Sequence, residues 1–310
     1  MKRLLEFDVI KLLAIFLVLW GHCTQYFLTA ENHVDEPVYR IIYTFHMPLF
    51  IMVSGFFASS SLKKQLKPFL INKVLQLLLP CLSWGSLFYL ILLTISTPER
   101  SYGSFLDHNL WFLKCLFACY VIYYIVFRTC KKFYVAAVLS LGIALVIPDR
   151  YIQTLFPYFL MGILLQRYYD LFSKYLYPIT LVSLALFIGL SCYNTTDVYW
   201  SRTPLSFTLG ATGAFSFIGL IHILKSKIGD APLFQRLANL GQYTLGVYIL
   251  QSFILEKLMP RYINFDAYPP EVVNLAIHPL LSLILLIICI LITQLVYKNR
   301  YTALVFFGKR

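Results

Sequence analysis

The sequence predicts an all-α fold, a polytopic bundle of membrane-spanning helices. Hydrophobic residues make up 59% of the 310 residues and charged residues only 13%, whereas a soluble domain carries about a quarter charged residues. The mean hydropathy is +0.73, and several apolar stretches have the length of about 20 residues with which a helix crosses the hydrocarbon core of a bilayer. The lipid bilayer is therefore the first expected partner of the chain.

Ten apolar segments are expected to span the membrane. The first begins close to Met1, is long and lacks a small-residue cleavage site, so we interpret it as a retained span and not as a signal peptide. The fifth and sixth are short, and their fusion into one span is the alternative to a count of ten. No linker or low-complexity segment divides the chain, which predicts a single membrane domain over 1–310. The spans are placed at about 7–28, 39–60, 69–95, 109–127, 133–147, 151–166, 176–193, 204–224, 239–258 and 272–296.

The basic residues cluster in short segments between the apolar runs. If both termini are cytoplasmic, the six cytoplasmic segments hold eighteen Lys and Arg and the five opposite loops hold about five. This asymmetry is the positive-inside pattern and predicts an N-in, C-in topology. It also accounts for the net charge of +12 without a nucleic-acid partner. The residues assigned to the opposite loops are Arg40, Arg100, Arg150, Arg202 and Arg261.

The seven cysteines are nearly all embedded in apolar runs, and none has zinc-ligand spacing with a histidine. We interpret them as small packing residues, and no metal is expected.

Three ionisable side chains interrupt the first span. Asp8 and Lys11 are three residues apart and share a helix face, and His22 lies almost three turns, about 16 Å, further along the same stripe. Ionisable residues inside a membrane span are expensive and indicate a functional site. The alternatives are an ion pair of Asp8 with Lys11 at the membrane interface, and a hydrogen bond of His22 to another helix of the bundle.

Further motifs lie in four other spans. The second span holds FHMPLF (45–50) and SGFF (54–57), which bring His46 and Ser54 into an apolar segment. The fourth span opens with LWFL (110–113), which contains Trp111, and the sixth opens with FPYFLMG (156–162). The ninth holds GQYTLGVYILQ (241–251), and Glu256 near its outer end is interpreted as an interfacial acid.

In this order the motifs resemble the acyltransferase-3 family of integral-membrane acyltransferases, which acylate sugars and surface glycans. The resemblance covers nearly the whole chain and is closest to the short members, which include fucose and other sugar O-acetyltransferases. A basic residue eleven positions before a histidine is the first-span signature of the family, and Lys11 and His22 stand there. The family usually has arginine at the first of these positions. Two other motifs also depart from its pattern. The family has a pair of arginines three residues apart near the start of the third span, where this chain has Lys73 and Gln76, and its last motif often ends in histidine, where this chain has Gln251.

The resemblance implies an O-acyltransferase of the bacterial inner membrane that moves acetyl, or another short acyl group, from acyl-CoA to a glycan hydroxyl. Acetyl-CoA would be the co-substrate and the sugar or glycan the acceptor. His22 is expected to act as general base or, alternatively, as an acyl-carrying nucleophile. Lys11 and Lys73 would hold the CoA phosphates as point charges, and Asp8 would orient Lys11.

His46, Ser54 and Trp111 are candidates for the acceptor or oxyanion pocket. Their alternative is a structural role, as polar groups satisfied by neighbouring helices and as an aromatic anchor at the interface. The alternative function is a transporter or flippase for an acylated or glycan intermediate, which would use the same intramembrane charges as a substrate path. The sequence leaves the acceptor sugar, the acyl group and the oligomeric state open, with a homodimer among the possible assemblies.

Overall fold

A computed structural model describes residues 3–28, 33–95, 101–130, 132–193, 201–229 and 231–309. These residues form helices joined by turns and contain no strand, so the predicted all-α class is confirmed. A helix occupies the position of each predicted span. The helices are α1 (Leu5–Phe27), α2 (Pro37–Phe56), α3 (Leu66–Ile95), α4 (Trp111–Cys130), α5 (Phe133–Val146), α6 (Arg150–Arg167), α7 (Leu176–Tyr193), α8 (Pro204–Ile228), α9 (244–258) and α10 (Pro270–Tyr297).

Six of the described helices, namely α1, α3, α4, α7, α8 and α10, are long and apolar enough to cross a membrane. The other four are shorter or less apolar, and α5 has only 14 residues. The chain is therefore a polytopic helical membrane protein, whereas the count of ten spans and the N-in topology stay predictions. The shorter α-helices in the connections are Ser59–Leu62, Tyr102–His108, Tyr169–Lys174, Pro232–Leu240 and Arg300–Phe307.

Helices α1 and α2 form the centre of the bundle. They pack against each other; α2 also packs against α6 and α8, and α1 against α9 and α10. The crossing of α2 and α6 is very close, because a Cβ atom on Gly55 would overlap the carbonyl oxygen of Phe159, and one on Gly162 would overlap that of Met52. Small residues allow such backbone approach in membrane bundles.

The bundle has two ends, named here after the charged or polar residue of α1 nearest to each. At the Asp8 end, the Arg3 guanidinium donates to the carbonyl oxygen of Ala238 over 2.9 Å. At the His22 end, the Phe265 amide donates to the carbonyl oxygen of Phe27 over 2.9 Å. The charge asymmetry of the sequence also counts residues that lie outside the described ranges, namely Lys2, Arg100, Lys131 and Arg310.

Candidate functional site

His22 is held by a hydrogen-bonded group from α2. Gly21 makes room for this contact, because a Cβ atom there would lie 2.6 Å from the ring of Tyr43. The Tyr43 hydroxyl consequently reaches α1, where it lies 3.1 Å from His22 Nδ1 and donates to Gln25 Oε1 over 2.8 Å. The Gly-His pair of the first span thus has a steric explanation that involves two helices.

A cavity of about 190 Å³ opens beside His22. His46 and Trp111, both predicted for the acceptor pocket, lie on its wall together with His22. The Nδ1 atom of His46 is 2.8 Å from the carbonyl oxygen of Ile42, and the Trp111 ring stacks on Tyr151 with the centroids 4.1 Å apart. Three helices therefore contribute predicted site residues to one cavity. Its other polar lining residues are Gln25, Tyr26, Tyr43, His108, Asn109, Tyr248, Gln251, Ser252 and Glu256.

A second cavity of about 160 Å³ lies nearer the Asp8 end and is lined by Lys11 and Ser54. Val18, Met47 and Tyr248 line both cavities. The two cavities are therefore neighbours along α1, one reaching the lysine and the other the histidine. A separate cavity of about 310 Å³ between α5, α6 and α8 contains no histidine and no carboxylate on its wall.

Asp8 is paired on both carboxylate oxygens. The Nζ atom of Lys11 lies 2.7 Å from Oδ1, and Nε of Arg3 lies 2.6 Å from Oδ2. Arg3 in turn donates to the side-chain oxygen of Asn239 over 2.9 Å. Gly241, the first residue of the ninth-span motif, packs against the Asp8 backbone so closely that a Cβ atom would overlap its carbonyl oxygen. The start of α1 and the start of α9 are thereby fixed together around the Asp8–Lys11 pair.

Lys73 is buried, with 6% of its surface exposed, and does not line either cavity beside α1. Its Nζ atom lies 3.4 Å from the ring centroid of Tyr120, a cation–π contact. The Tyr120 hydroxyl donates to the carbonyl oxygen of Ser54 over 2.9 Å. Ser54 itself donates within its helix to the carbonyl oxygen of Phe50, so its hydroxyl is satisfied while it lines the cavity of Lys11.

Several polar residues of the cavity wall were not predicted from sequence. Tyr43, Gln25 and Asn109 carry no ionic charge, and spacing relates only Gln25, three residues further along α1, to His22. Glu256 is different, since an acidic residue inside an apolar segment by itself indicates a functional site. The structure places Glu256 on the wall of the His22 cavity, a position that the interpretation as an interfacial acid did not include.

The chain is similar to a known family of proteins over most of its length. A family model described as an acyltransferase domain matches residues 4–297. The nodulation protein NolL of Mesorhizobium japonicum is 35% identical over 103 residues, which cover 32% of this chain and 28% of that protein. NolL of Sinorhizobium fredii is 36% identical over 89 residues, which cover 28% of this chain and 24% of that protein.

The chain thus matches only about a quarter of the length of these curated relatives. No solved structure matches the chain. The family model nevertheless runs from the start of α1 to the end of α10 and includes every residue of both cavities. The chain therefore belongs to the acyltransferase-3 family of membrane acyltransferases.

Proposed function

We propose that the protein moves an acetyl or another short acyl group from acyl-CoA to a hydroxyl of a cell-surface or lipid-linked glycan, in the bacterial inner membrane. The adjoining cavities beside α1 support this proposal. One has a lysine on its wall, and the other has His22, His46 and Glu256. An anionic donor that enters from the Lys11 side would bring its acyl group toward the histidines, where the acceptor hydroxyl would meet it.

The hydrogen bonds of Tyr43 support Nε2 as the nitrogen of His22 that acts as base. A tyrosine hydroxyl has one hydrogen, and here it is donated to Gln25 Oε1. The Tyr43 oxygen must then accept from Nδ1–H of His22, 3.1 Å away. The neutral imidazole keeps its lone pair on Nε2 in this tautomer, which makes Nε2 the atom that takes a proton from the acceptor.

The reaction then needs no covalent enzyme intermediate. His22 Nε2 removes the proton of the acceptor hydroxyl while the hydroxyl oxygen bonds to the thioester carbonyl carbon. The carbon–sulfur bond breaks, CoA leaves as a thiolate, and the imidazolium returns the proton to its sulfur. In its ionised form Glu256, on the same wall, would stabilise the imidazolium in this low-dielectric site. His46 and Trp111 would shape the acceptor pocket.

At the Asp8 end, Lys11 would bind the CoA phosphates as a point charge. Asp8 positions the ammonium through the 2.7 Å contact, and Arg3 holds the second oxygen of Asp8. Lys73 is proposed as the second phosphate-binding cation, because Tyr120, on which its ammonium lies, bonds to the backbone of Ser54 on the cavity wall.

The test uses purified full-length protein in nanodiscs, acetyl-CoA, and surface glycan of the source cell from which ester groups have been removed by mild base. We expect CoA thiol release that depends on glycan, and a glycan mass increase of one acetyl group. His22→Ala should lower the rate about a hundredfold or more, the usual contribution of a general base. His33→Ala is the matched control, since His33 lines neither cavity.

Undiminished transfer by His22→Ala would contradict the role of His22 as base. Uptake of glycan into vesicles without consumption of acetyl-CoA would instead favour the transporter.

A further inference from the structure

Two amide side chains on the wall of the His22 cavity each contain a buried polar atom without a hydrogen-bond partner. These atoms are Oε1 of Gln251 and Nδ2 of Asn109. Gln251 is 1% exposed, and its Nε2 donates to the carbonyl oxygen of Tyr248 over 3.2 Å. That bond fixes the amide group and leaves Oε1 as the free acceptor.

An unsatisfied buried polar atom is expensive, and native proteins retain few of them. A free acceptor and a free donor around one cavity therefore indicate a ligand that brings both functions. A sugar ring does so, because every hydroxyl is at once a donor and an acceptor. The cavity also holds His22, so a ligand bound there would have its hydroxyls close to the proposed base.

The turn that carries Asn109 is strained. The next residue, Leu110, has φ 50°, and no other non-glycine residue in the described ranges has positive φ. Such a conformation is costly and persists only where the surroundings impose it, commonly at binding sites. Lys114 stabilises this turn, since its ammonium donates to the carbonyl oxygens of Leu106, over 2.9 Å, and of Asp107. The turn that carries Asn109 is thus held in place by the Lys114 side chain.

We propose that Gln251 and Asn109 determine acceptor specificity, with Gln251 Oε1 accepting from one sugar hydroxyl and Asn109 Nδ2 donating to another. This inference rests on the proposed function, since it concerns the acceptor of the same reaction. The donor end of the path is assigned to Lys11, which lines only the other cavity. Substitution of either amide should therefore weaken the binding of the glycan and leave the binding of acyl-CoA unchanged.

The test compares Gln251→Met and Asn109→Leu with the unmodified protein. Both substitutions keep the approximate volume of the side chain and remove the unpaired amide atom. We expect the KM for the de-esterified surface glycan to rise about ten- to hundredfold, with the KM for acetyl-CoA unchanged. Gln153→Met is the matched control, because its Oε1 is likewise buried without a partner but Gln153 lines the separate cavity of about 310 Å³.

Isothermal calorimetry of glycan binding separates this inference from the proposed function. If the unmodified protein binds glycan, Gln251→Met does not, and no CoA is released, then the amides bind the acceptor and the proposed reaction is wrong. If transfer proceeds and both variants bind glycan like the unmodified protein, the reaction stands and the inference is overturned. A rise in the KM for acetyl-CoA alone overturns it as well, and absence of glycan binding by the unmodified protein overturns both. The thermal unfolding of each variant is measured first, to show that it is folded. Gln251→Met and Asn109→Leu then test the inference independently of each other.

Discussion

The hydroxyl of Tyr43 touches the nitrogen of His22 that would not do the chemistry. Its contact with Nδ1, 3.1 Å long, selects a tautomer and also fixes the ring plane of the imidazole. Gln25 completes this arrangement, because it takes the only hydrogen that Tyr43 can donate. In the proposed reaction His22 would thereby bind the proton on Nε2, and Tyr43 would be a positioning residue rather than a catalytic one.

Tyr43→Phe should lower kcat and leave both KM values nearly unchanged. The substitution removes the acceptor of Nδ1–H. A hydrogen bond of this kind contributes about 1 kcal/mol net, and leaving a buried donor unpaired costs about 1–3 kcal/mol. We therefore expect a fall in kcat of about five- to hundredfold, measured as CoA release at saturating glycan. The matched control is Tyr123→Phe, since the Tyr123 hydroxyl is buried without a partner and lines neither cavity. An unchanged kcat for Tyr43→Phe would contradict the positioning role.

Side chains that share one helix could be related to each other from sequence alone. The spacing of Asp8, Lys11 and His22 indicates a common stripe, and the structure forms the Asp8–Lys11 ion pair expected from a three-residue separation. The contacts of Tyr43 and Gln251 were not predictable, because they depend on how α2 and α9 are rotated against α1. Arg3 was likewise missed, since its role depends on Asp8 and on a helix more than 200 residues away, joined through Arg3 Nη1 and Asn239.

Three π-helical turns lie in the helices around α1: Val74–Leu78, Ile254–Leu258 and Val273–Ile277. A π turn inserts one residue into the helical repeat and rotates the part of the helix beyond it. The second turn carries Glu256, which lines the cavity of His22. The third carries Asn274, whose side chain accepts from Thr24 on α1 over 3.0 Å and donates to Glu36. Periodicity of 3.6 residues does not predict such turns, so the face on which Glu256 lies could not be derived from the sequence.

Helix α2, which carries His46 and Ser54, crosses α6 at close range. Gly162→Ala should destabilise the protein by about 1–3 kcal/mol or more, because the new methyl group would overlap the carbonyl oxygen of Met52 and the backbones must separate. Thermal unfolding in one detergent checks this expectation. Gly142→Ala is the matched control in α5, where a Cβ atom meets nothing within 4 Å, and alanine is favoured over glycine in a helix by about 0.5–1 kcal/mol. Equal melting temperatures for the two variants would show that the crossing is not tight.

The whole molecule presents different chemistry at its two ends. The Asp8 end holds the Arg3–Asp8–Lys11 cluster, and the C-terminal helix packs there as well, with the Trp84 indole donating to the carbonyl oxygen of Phe306 over 2.8 Å. The His22 end holds the cavity with the histidines. Such a division suits a reaction whose donor and acceptor arrive from opposite sides. It agrees with the charge asymmetry, which predicts that the Asp8 end faces the cytoplasm, where acyl-CoA is made.

Reporter fusions at the two ends test this orientation. Green fluorescent protein joined after Lys309 should fluoresce, because that reporter matures in the cytoplasm, and alkaline phosphatase joined at the same position should be inactive. Tyr268 lies in the turn just after the contact of Phe265 with Phe27, and there phosphatase should be active and the fluorescent protein dark. The same reporter active at both positions would contradict a membrane path that separates the two ends. A reversed result would place Lys11 outside, and the site could then not draw acyl-CoA from the cytoplasm through the cavity that Lys11 lines.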